Sequence, residues 1–191
     1  MYIVGFNGPP RSGKDTLAQM LQDHLNPRAL IPSKLDSLSM PLRKIAYAMV
    51  DYSGELDGPD YETFKTTRFG LLKRTGRELL IDVSERFLKP AYGSGVMADL
   101  MLERNANFTG IVMIRDSGFQ CEVDPIIGAV GAANFYLVRV HRKGCDFSND
   151  SREWCLHKYS ADIDNNGTLE DLRTEAGRIY GRLVNKMGWH L

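Results

Sequence analysis

Tyr2-Ile3-Val4-Gly5-Phe6-Asn7-Gly8-Pro9-Pro10-Arg11-Ser12-Gly13-Lys14-Asp15-Thr16 is the stretch on which the fold turns. Tyr2 to Phe6 is a nearly continuous apolar run without polar alternation, the pattern of a strand buried on both faces of a parallel sheet. A Gly/Pro-rich turn, Asn7 to Gly13, follows. Leu17, Met20, Leu21 and Leu25 then recur at helical spacing, and Asn26-Pro27 ends the helix. Gly8 to Lys14 carries the GxxxxGK spacing of a P-loop between that strand and that helix. Its glycines let the backbone curl so that successive N–H groups face phosphate oxygens. The helix that follows aims its positive end at the same anion, and Lys14 reaches the outer phosphates. Gly8, Arg11, Ser12, Gly13, Lys14, Asp15 and Thr16 are therefore the expected nucleoside triphosphate ligands. The position after the lysine is normally a Ser or Thr that ligates magnesium. Here it is Asp15, expected to hold Mg2+ directly or through water, while Thr16 reaches an inner phosphate.

Outward from this unit, strands and helices alternate. Ala29 to Leu38 reads as a weaker strand and Met40 to Val50 as a helix with Pro41 in its first turn. Asp51 to Asp60 is an acidic, Gly-rich loop. Thr63 to Leu88 reads as mostly helical, with Phe69, Leu72, Leu79, Leu80, Val83 and Phe87 apolar; Pro90 and Gly93-Ser94-Gly95 break it, and Val96 to Glu103 resumes a helix. Gly110 to Ile114 and Phe135 to Val140 are two further buried-strand signals, and Tyr159 to Asp164 is a last short strand. Thr168-x-x-Asp171 has the form of a capping box. The helix after it shows Leu169, Leu172, Ala176, Ile179, Leu183 and Met187 on one face. The fold class is α/β: a central parallel sheet of about five strands with helices on both faces, entered through a P-loop. The chain, 1–191, reads as one domain, with a helical acceptor-binding region at about 40–105.

Composition narrows the classes. Of the 191 residues, 43% are hydrophobic and 25% charged, enough apolar material for a core. Lys plus Arg equals Asp plus Glu at 24 each, which argues against a general electrostatic grip on nucleic acid. Three widely spaced cysteines without a CxxC pair read as reduced thiols of a cytoplasmic protein. The N-terminus runs straight into a strand with no charged leader, and no apolar run approaches a membrane span. His24, His141, His157 and His190 show no metal-ligand spacing, and Met40, Met49, Met97 and Met101 read as core.

The strand at Gly110 to Ile114 ends in Arg115-Asp116, which places a Walker-B-like, metal-binding carboxylate where parallel strands present ligands. No guanine-reading Asn-Lys-x-Asp string is found, and the chain is short for a motor ATPase. At this point the sequence resembles the phage-type deoxynucleoside monophosphate kinases. Gly8 to Thr16, ending Arg-Ser-Gly-Lys-Asp-Thr, is similar to their P-loop. In the same order follow Ser39-Met40-Pro41-Leu42-Arg43-Lys44, Leu71 to Glu78, Ile114-Arg115-Asp116-Ser117-Gly118-Phe119 with Glu122, Val138 to Arg142, and Asp164-Asn165-Asn166-Gly167-Thr168. Gly118 stands where that family commonly has an arginine, and Thr75-Gly76-Arg77 replaces its Leu-Gly-Thr.

The resemblance implies a P-loop kinase fold, ATP and Mg2+ as cofactors and a small nucleotide as acceptor. It also implies a cytoplasmic location, the host's if the chain is of phage origin, and leaves a homodimer open. Arginines suit an acceptor phosphate because their planar fork matches its oxygens. Arg43, Arg74 and Arg77 are the expected acceptor ligands, with Arg68 in the same region. Asp36, near the end of the second strand, is placed to take or orient the acceptor's proton. Arg139, Arg142 and Arg152 bracket a polar stretch read as a lid at about 141–155, with Arg139 facing the triphosphate and Arg142 closing over it. Asn165 is expected near the adenine. Lys14, Asp36, Asp116 and Arg142 form the expected catalytic set. Two alternatives stay open: a hydroxyl acceptor, such as 5-hydroxymethyluracil in DNA or dephospho-coenzyme A, and a non-catalytic nucleotide-binding module.

Overall fold

The computed structural model of the chain describes residues 1–27, 31–148, 150–185 and 188–189. Residues 29 and 30 of the expected second strand, Met187 of the last helical face, and His190 lie outside the described residues. Five strands form one sheet: β1 (Tyr2–Asn7), β2 (Ser33–Asp36), β5 (Ile111–Ile114), β6 (Phe135–His141) and β7 (Ser160–Asp164). Their order is β2-β5-β1-β6-β7, and every neighbouring pair is parallel. The strand that leads into the P-loop is therefore central, and the chain order reverses on either side of it. That is where open α/β sheets place ligands, at the carboxyl ends of the strands.

Alternate residues of these strands feed two cores. Val4, Phe6, Ile111, Met113, Tyr136 and Val138 face α1 (Lys14–Leu25) and α8 (Leu169–Asn185). Ile3, Val112, Ile114, Phe135 and Leu137 face α6 (Val96–Arg104) and α7 (Gln120–Val130). Both faces are covered, which is why the strands read as apolar runs rather than alternating ones. The capping box at the start of α8 is closed by Thr168 and Asp171 in both directions. Leu172, Ala176, Ile179 and Leu183 are buried along that helix, but Leu169 in its first turn is exposed. No helix among the described residues is long and apolar enough to cross a membrane.

A third, smaller core builds the region between β2 and β5. Ala46 and Tyr47 of α2 (Met40–Met49) meet Phe64 of α3 (Gly58–Thr66) and Leu79 and Leu80 of α4 (Gly76–Ile81). Here the sequence reading needs correction. The helix expected from Thr63 to Leu88 is interrupted: α3 already begins at Gly58, and Thr67 leaves it in an extended conformation. A hairpin of β3 (Arg68–Phe69) and β4 (Arg74–Thr75) follows, with Lys73 at positive φ in its turn. Leu71 at its tip is fully exposed, so the apolar periodicity that suggested one helix is coincidental there. Thr75 and Glu78 restart the helix with a reciprocal capping box, a signal the sequence did contain. The helix then passes through a π-helical turn at Asp82–Leu88 into α5 (Lys89–Tyr92). Pro90 sits in its last turn, so Gly93 ends it rather than Pro90. Met49, expected in the core, is 53% exposed. Helix α7 has no counterpart in the sequence reading. Its internal Pro125 removes one helical hydrogen bond, but Val123 and Ile126 are fully buried, and that burial outweighs the loss.

Gly76 fixes how α3 meets α4, because a Cβ there would collide with the Phe64 carbonyl oxygen and stand 2.8 Å from the Phe64 ring. Gly76→Ala is expected to destabilise this small core by about 2–3 kcal/mol. Hydrogen exchange should accelerate across residues 58–92 while amides of β1, β5 and β6 keep their protection.

Candidate active site at the carboxyl ends of β1 and β5

The turn between β1 and α1 is held in the shape its sequence demands. Arg11 and Gly13 take positive φ of 64° and 92°. A Cβ on Gly8 would lie 2.7 Å from the Val140 carbonyl oxygen and 2.8 Å from Ser12 Oγ. Helix α1 begins on Gly13 with no side chain over its first amides. The N–H groups of Lys14, Asp15 and Thr16 thus have no carbonyl a turn earlier to bond. Ser12 Oγ is buried and has no hydrogen-bond partner among the described residues. An uncapped helix end beside an orphaned buried hydroxyl fits an anionic group.

Lys14 is 7% exposed, its Nζ 3.4 Å from the Pro9 carbonyl oxygen and 3.9 Å from Asp15 Oδ2. Burial holds its ammonium below the ordinary lysine range; Asp15 pulls the other way and Arg152 adds to the effect of burial. Asp15 itself is 66% exposed and Thr16 is exposed, so both are open to solvent at the loop. Asn165 donates Nδ2–H to the Ser12 carbonyl oxygen at 2.7 Å. It braces the P-loop backbone. Arg142 reaches the Arg11 carbonyl oxygen at 3.4 Å. Arg139 instead turns to Asp162 of β7 at 2.7 Å, alongside His141.

At the end of β5, Asp116 gathers the start of α2. Its carboxylate accepts hydrogen bonds from Ser37 Oγ (2.6 Å), the Leu38 amide (2.7 Å), the Ser39 amide (3.1 Å) and Ser39 Oγ (2.7 Å). Burial pushes the Asp116 carboxyl up, but Arg43 and these donors outweigh it and leave its pKa below the ordinary range. Arg43, 6% exposed, donates to Ser37 Oγ and Ser39 Oγ, to the Leu56 carbonyl oxygen and to Asp57. Its guanidinium lies over the Tyr61 ring at 3.9 Å. Arg43 and Asp116 are thus brought into one network.

The other expected acceptor residues are placed differently. Asp36 is held by both arms of Arg104, at 2.9 and 3.1 Å, by Asn105 at 2.7 Å and by the Ser37 amide. Arg74 turns to Asp82 at 3.0 Å on the neighbouring helix. Arg77, 58% exposed, stands 3.9 Å from Asp150.

Asn7 and Arg115 escaped the sequence reading, and Arg152, expected only as an edge of the lid, takes a second role. Asn7, fully buried at the last position of β1, donates to the Ser117 and Glu153 carbonyl oxygens and accepts from the Cys155 amide. A polar residue closing an otherwise apolar buried strand was the available signal. Through Asn7 the stretch 153–155 is pinned against the P-loop entry. Arg152 binds Asp150 with two nitrogens, at 2.8 and 2.5 Å. Its stem occupies the space a side chain at Gly118 would need. The glycine that departs from the resembled family is filled over by an arginine from a distant segment. Arg115 pairs with Asp57 at 2.7 Å.

Solved structures of low sequence identity superpose on the chain. A gluconokinase from Sinorhizobium meliloti is 10% identical over 98% of this chain and 95% of its own, with a TM-score of 0.51. The protein APE1195 is 16% identical over 97% and 96%, with a TM-score of 0.53. A thymidylate kinase from Candida albicans aligns over 98% and 93% at 13% identity, with a TM-score of 0.42. The fold is that of the P-loop kinases. At such identities the likeness concerns the fold alone. No protein-family profile matches the sequence, and neither does any curated protein.

Glu122, 5% exposed on α7, has its carboxyl pKa pushed up to about 8, first by burial and then by Asp116, against the opposing pull of Lys89. Between the ordinary glutamate range and about 8 the folded protein holds a proton that the unfolded chain has released, so stability falls as pH rises through that window. Glu122→Gln should remove this loss. Thermal melts at pH 8 should show the variant more stable by about 2–4 kcal/mol, and melts at pH 5 should nearly coincide.

Proposed function

We propose that the chain transfers the terminal phosphoryl group of ATP to a (deoxy)nucleoside monophosphate. One observation carries the choice of acceptor. A hydroxyl acceptor needs a base to receive its proton, whereas a phosphate arrives already ionised. The carboxylates at the strand ends and on the facing segments are engaged: Asp36 with Arg104 and Asn105, Asp57 with Arg43 and Arg115, Asp116 with four donors, and Asp150 with Arg152. Asp36 is therefore assigned to positioning the β2 end, not to proton transfer. Two guanidiniums, those of Arg43 and Arg115, by contrast converge on the single carboxylate of Asp57, as binding a second anion requires.

In this reading the uncapped start of α1, Ser12 and Lys14 hold the outer phosphates of ATP. Lys14, kept from water by burial, stabilises charge where it shifts during transfer. Mg2+ would be held by Asp15, whose carboxylate is open, with Asp116 contributing through the hydroxyls it orients; bound there, the ion would neutralise charge on the phosphates. Asn165 keeps the Ser12 peptide in its loop geometry, and Asn7 keeps Arg152 beside Lys14. Because Asn7 pins 153–155, those residues stay outside the proposed closing stretch. Arg142, resting on the Arg11 carbonyl oxygen, is the cation that closes over the triphosphate.

The deciding assay supplies ATP and magnesium with each nucleoside monophosphate, dephospho-coenzyme A, gluconate and 5-hydroxymethyluracil DNA, and follows ADP. ADP with monophosphates is expected. ADP with a hydroxyl compound alone would refute the acceptor assignment, and ATP binding without ADP from any acceptor would favour a binding module. Lys14→Ala should lower turnover about a hundred- to a thousandfold. Arg142→Ala should lower kcat by a larger factor than it weakens ATP; equal losses in both would refute a closing role.

A further inference from the structure

Asp57 is the N-cap residue of α3, in an extended conformation with φ −137° and ψ 174°, yet its side chain makes no capping bond. Its carboxylate bridges two arginines instead. Oδ1 accepts from Arg43 Nη1, and Oδ2 accepts from Arg115 Nη2 at 2.7 Å. The two guanidiniums come from different elements, α2 and the end of β5, and converge on this one group. The Arg43 side chain is 8% exposed, whereas Asp57 is 44% exposed and so sits on the open side of the pair. Arg115 Nε is buried with no hydrogen-bond partner among the described residues. A two-oxygen, singly charged carboxylate therefore leaves this donor array unfilled.

We infer that Arg43 and Arg115 form the binding site for the acceptor's phosphate monoester, and that Asp57 occupies it as a displaceable internal anion. A phosphate dianion brings three terminal oxygens and a second charge to the same two forks, so it competes with the carboxylate on both counts. The released Asp57 has a second resting place. As N-cap of α3 it can accept from the Asp60 amide, because Pro59 at the position between has no N–H. The exchange thus moves one carboxylate between two partners a short distance apart and leaves α3 capped when substrate is bound. The site also lies at the end of β5, the strand hydrogen-bonded to β1, which places it one strand from the P-loop. This inference deepens the proposed function and rests on its acceptor being a phosphate. It assigns Arg115, rather than Arg74 or Arg77, as the partner of Arg43.

The test uses the full chain and inorganic phosphate as probe, followed by calorimetry with the P-loop already filled by the ATP analogue AMP-PNP, whose own affinity is titrated first. Asp57→Asn keeps a residue able to cap α3 but removes the competing charge, and it should tighten phosphate about tenfold. Arg115→Gln should weaken phosphate about tenfold or more, and Arg115→Lys, which keeps charge but loses the fork, should fall between. AMP-PNP affinity should stay within a factor of two or so in all three variants, since the P-loop is untouched. Phosphate affinity unchanged or weakened in Asp57→Asn would overturn the inference and make Asp57 a structural clip, as would unchanged affinity in Arg115→Gln. Thermal melts confirm that each variant is folded. Failure of the wild-type chain to bind AMP-PNP would sink the kinase reading instead, while the difference in phosphate affinity between wild type and the Asp57 and Arg115 variants would still report on this site.

Discussion

A helix that starts on a glycine, with no side chain over its first amides, ends in uncompensated positive charge, and α1 is such a helix. Lys14 adds a buried ammonium at the same point. The protein cannot relieve this by burying the loop, because the N–H groups would then lack partners. It also does not cover it with an acidic side chain, since the nearest, Asp15, lies open to solvent. Much of the surrounding structure follows from keeping that end bare yet rigid. Asn165 and Arg142 bond the carbonyl oxygens of Ser12 and Arg11, so the loop is braced through its acceptors while the amides of Lys14, Asp15 and Thr16 are left without a partner among the described residues.

Rigidity at the neighbouring strand is reached by the opposite means. Asp116 is saturated with donors from Ser37, Leu38 and Ser39, and the hydroxyl oxygens of those serines also accept hydrogen bonds from Arg43. A buried carboxylate is tolerable when its lone pairs are met and a cation stands near, and here both conditions hold. The effect is to lock the start of α2 to the end of β5, which in turn fixes where Arg43 points. Glu122, a short way along α7, has no such set of donors among the described residues, and burial keeps its carboxyl protonated above the ordinary range. Two acids from one segment thus take different protonation states because their partners differ.

Charge pairing among the arginines separates structural from available cations. Arg104 and Arg74 are committed to Asp36 and Asp82. Arg43, Arg115 and Arg152 converge on Asp57 and Asp150, carboxylates carried on segments without regular strand structure. The segment holding Arg152 is anchored by Asn7, so a side chain far away in sequence fills the room above Gly118.

Local pattern was enough to set the sheet, its P-loop and the capped final helix, because each depends on periodicity or turn chemistry contained within about fifteen residues. Tyr2 to Phe6 must be buried on both faces, and Gly8 to Lys14 must curl, whatever else the chain does. Local pattern failed where tertiary contacts outvoted it: Leu71 and Leu72 lie at a hairpin tip, not on a helix, and Pro125 is tolerated inside α7 because Val123 and Ile126 are buried. The partners of the arginines were beyond its reach altogether. Arg43 and Arg115 are 72 positions apart, and a guanidinium's role depends on which carboxylate the fold brings to it. Residue type and spacing fixed the scaffold; three-dimensional charge pairing decided which side chains remain open to a second anion.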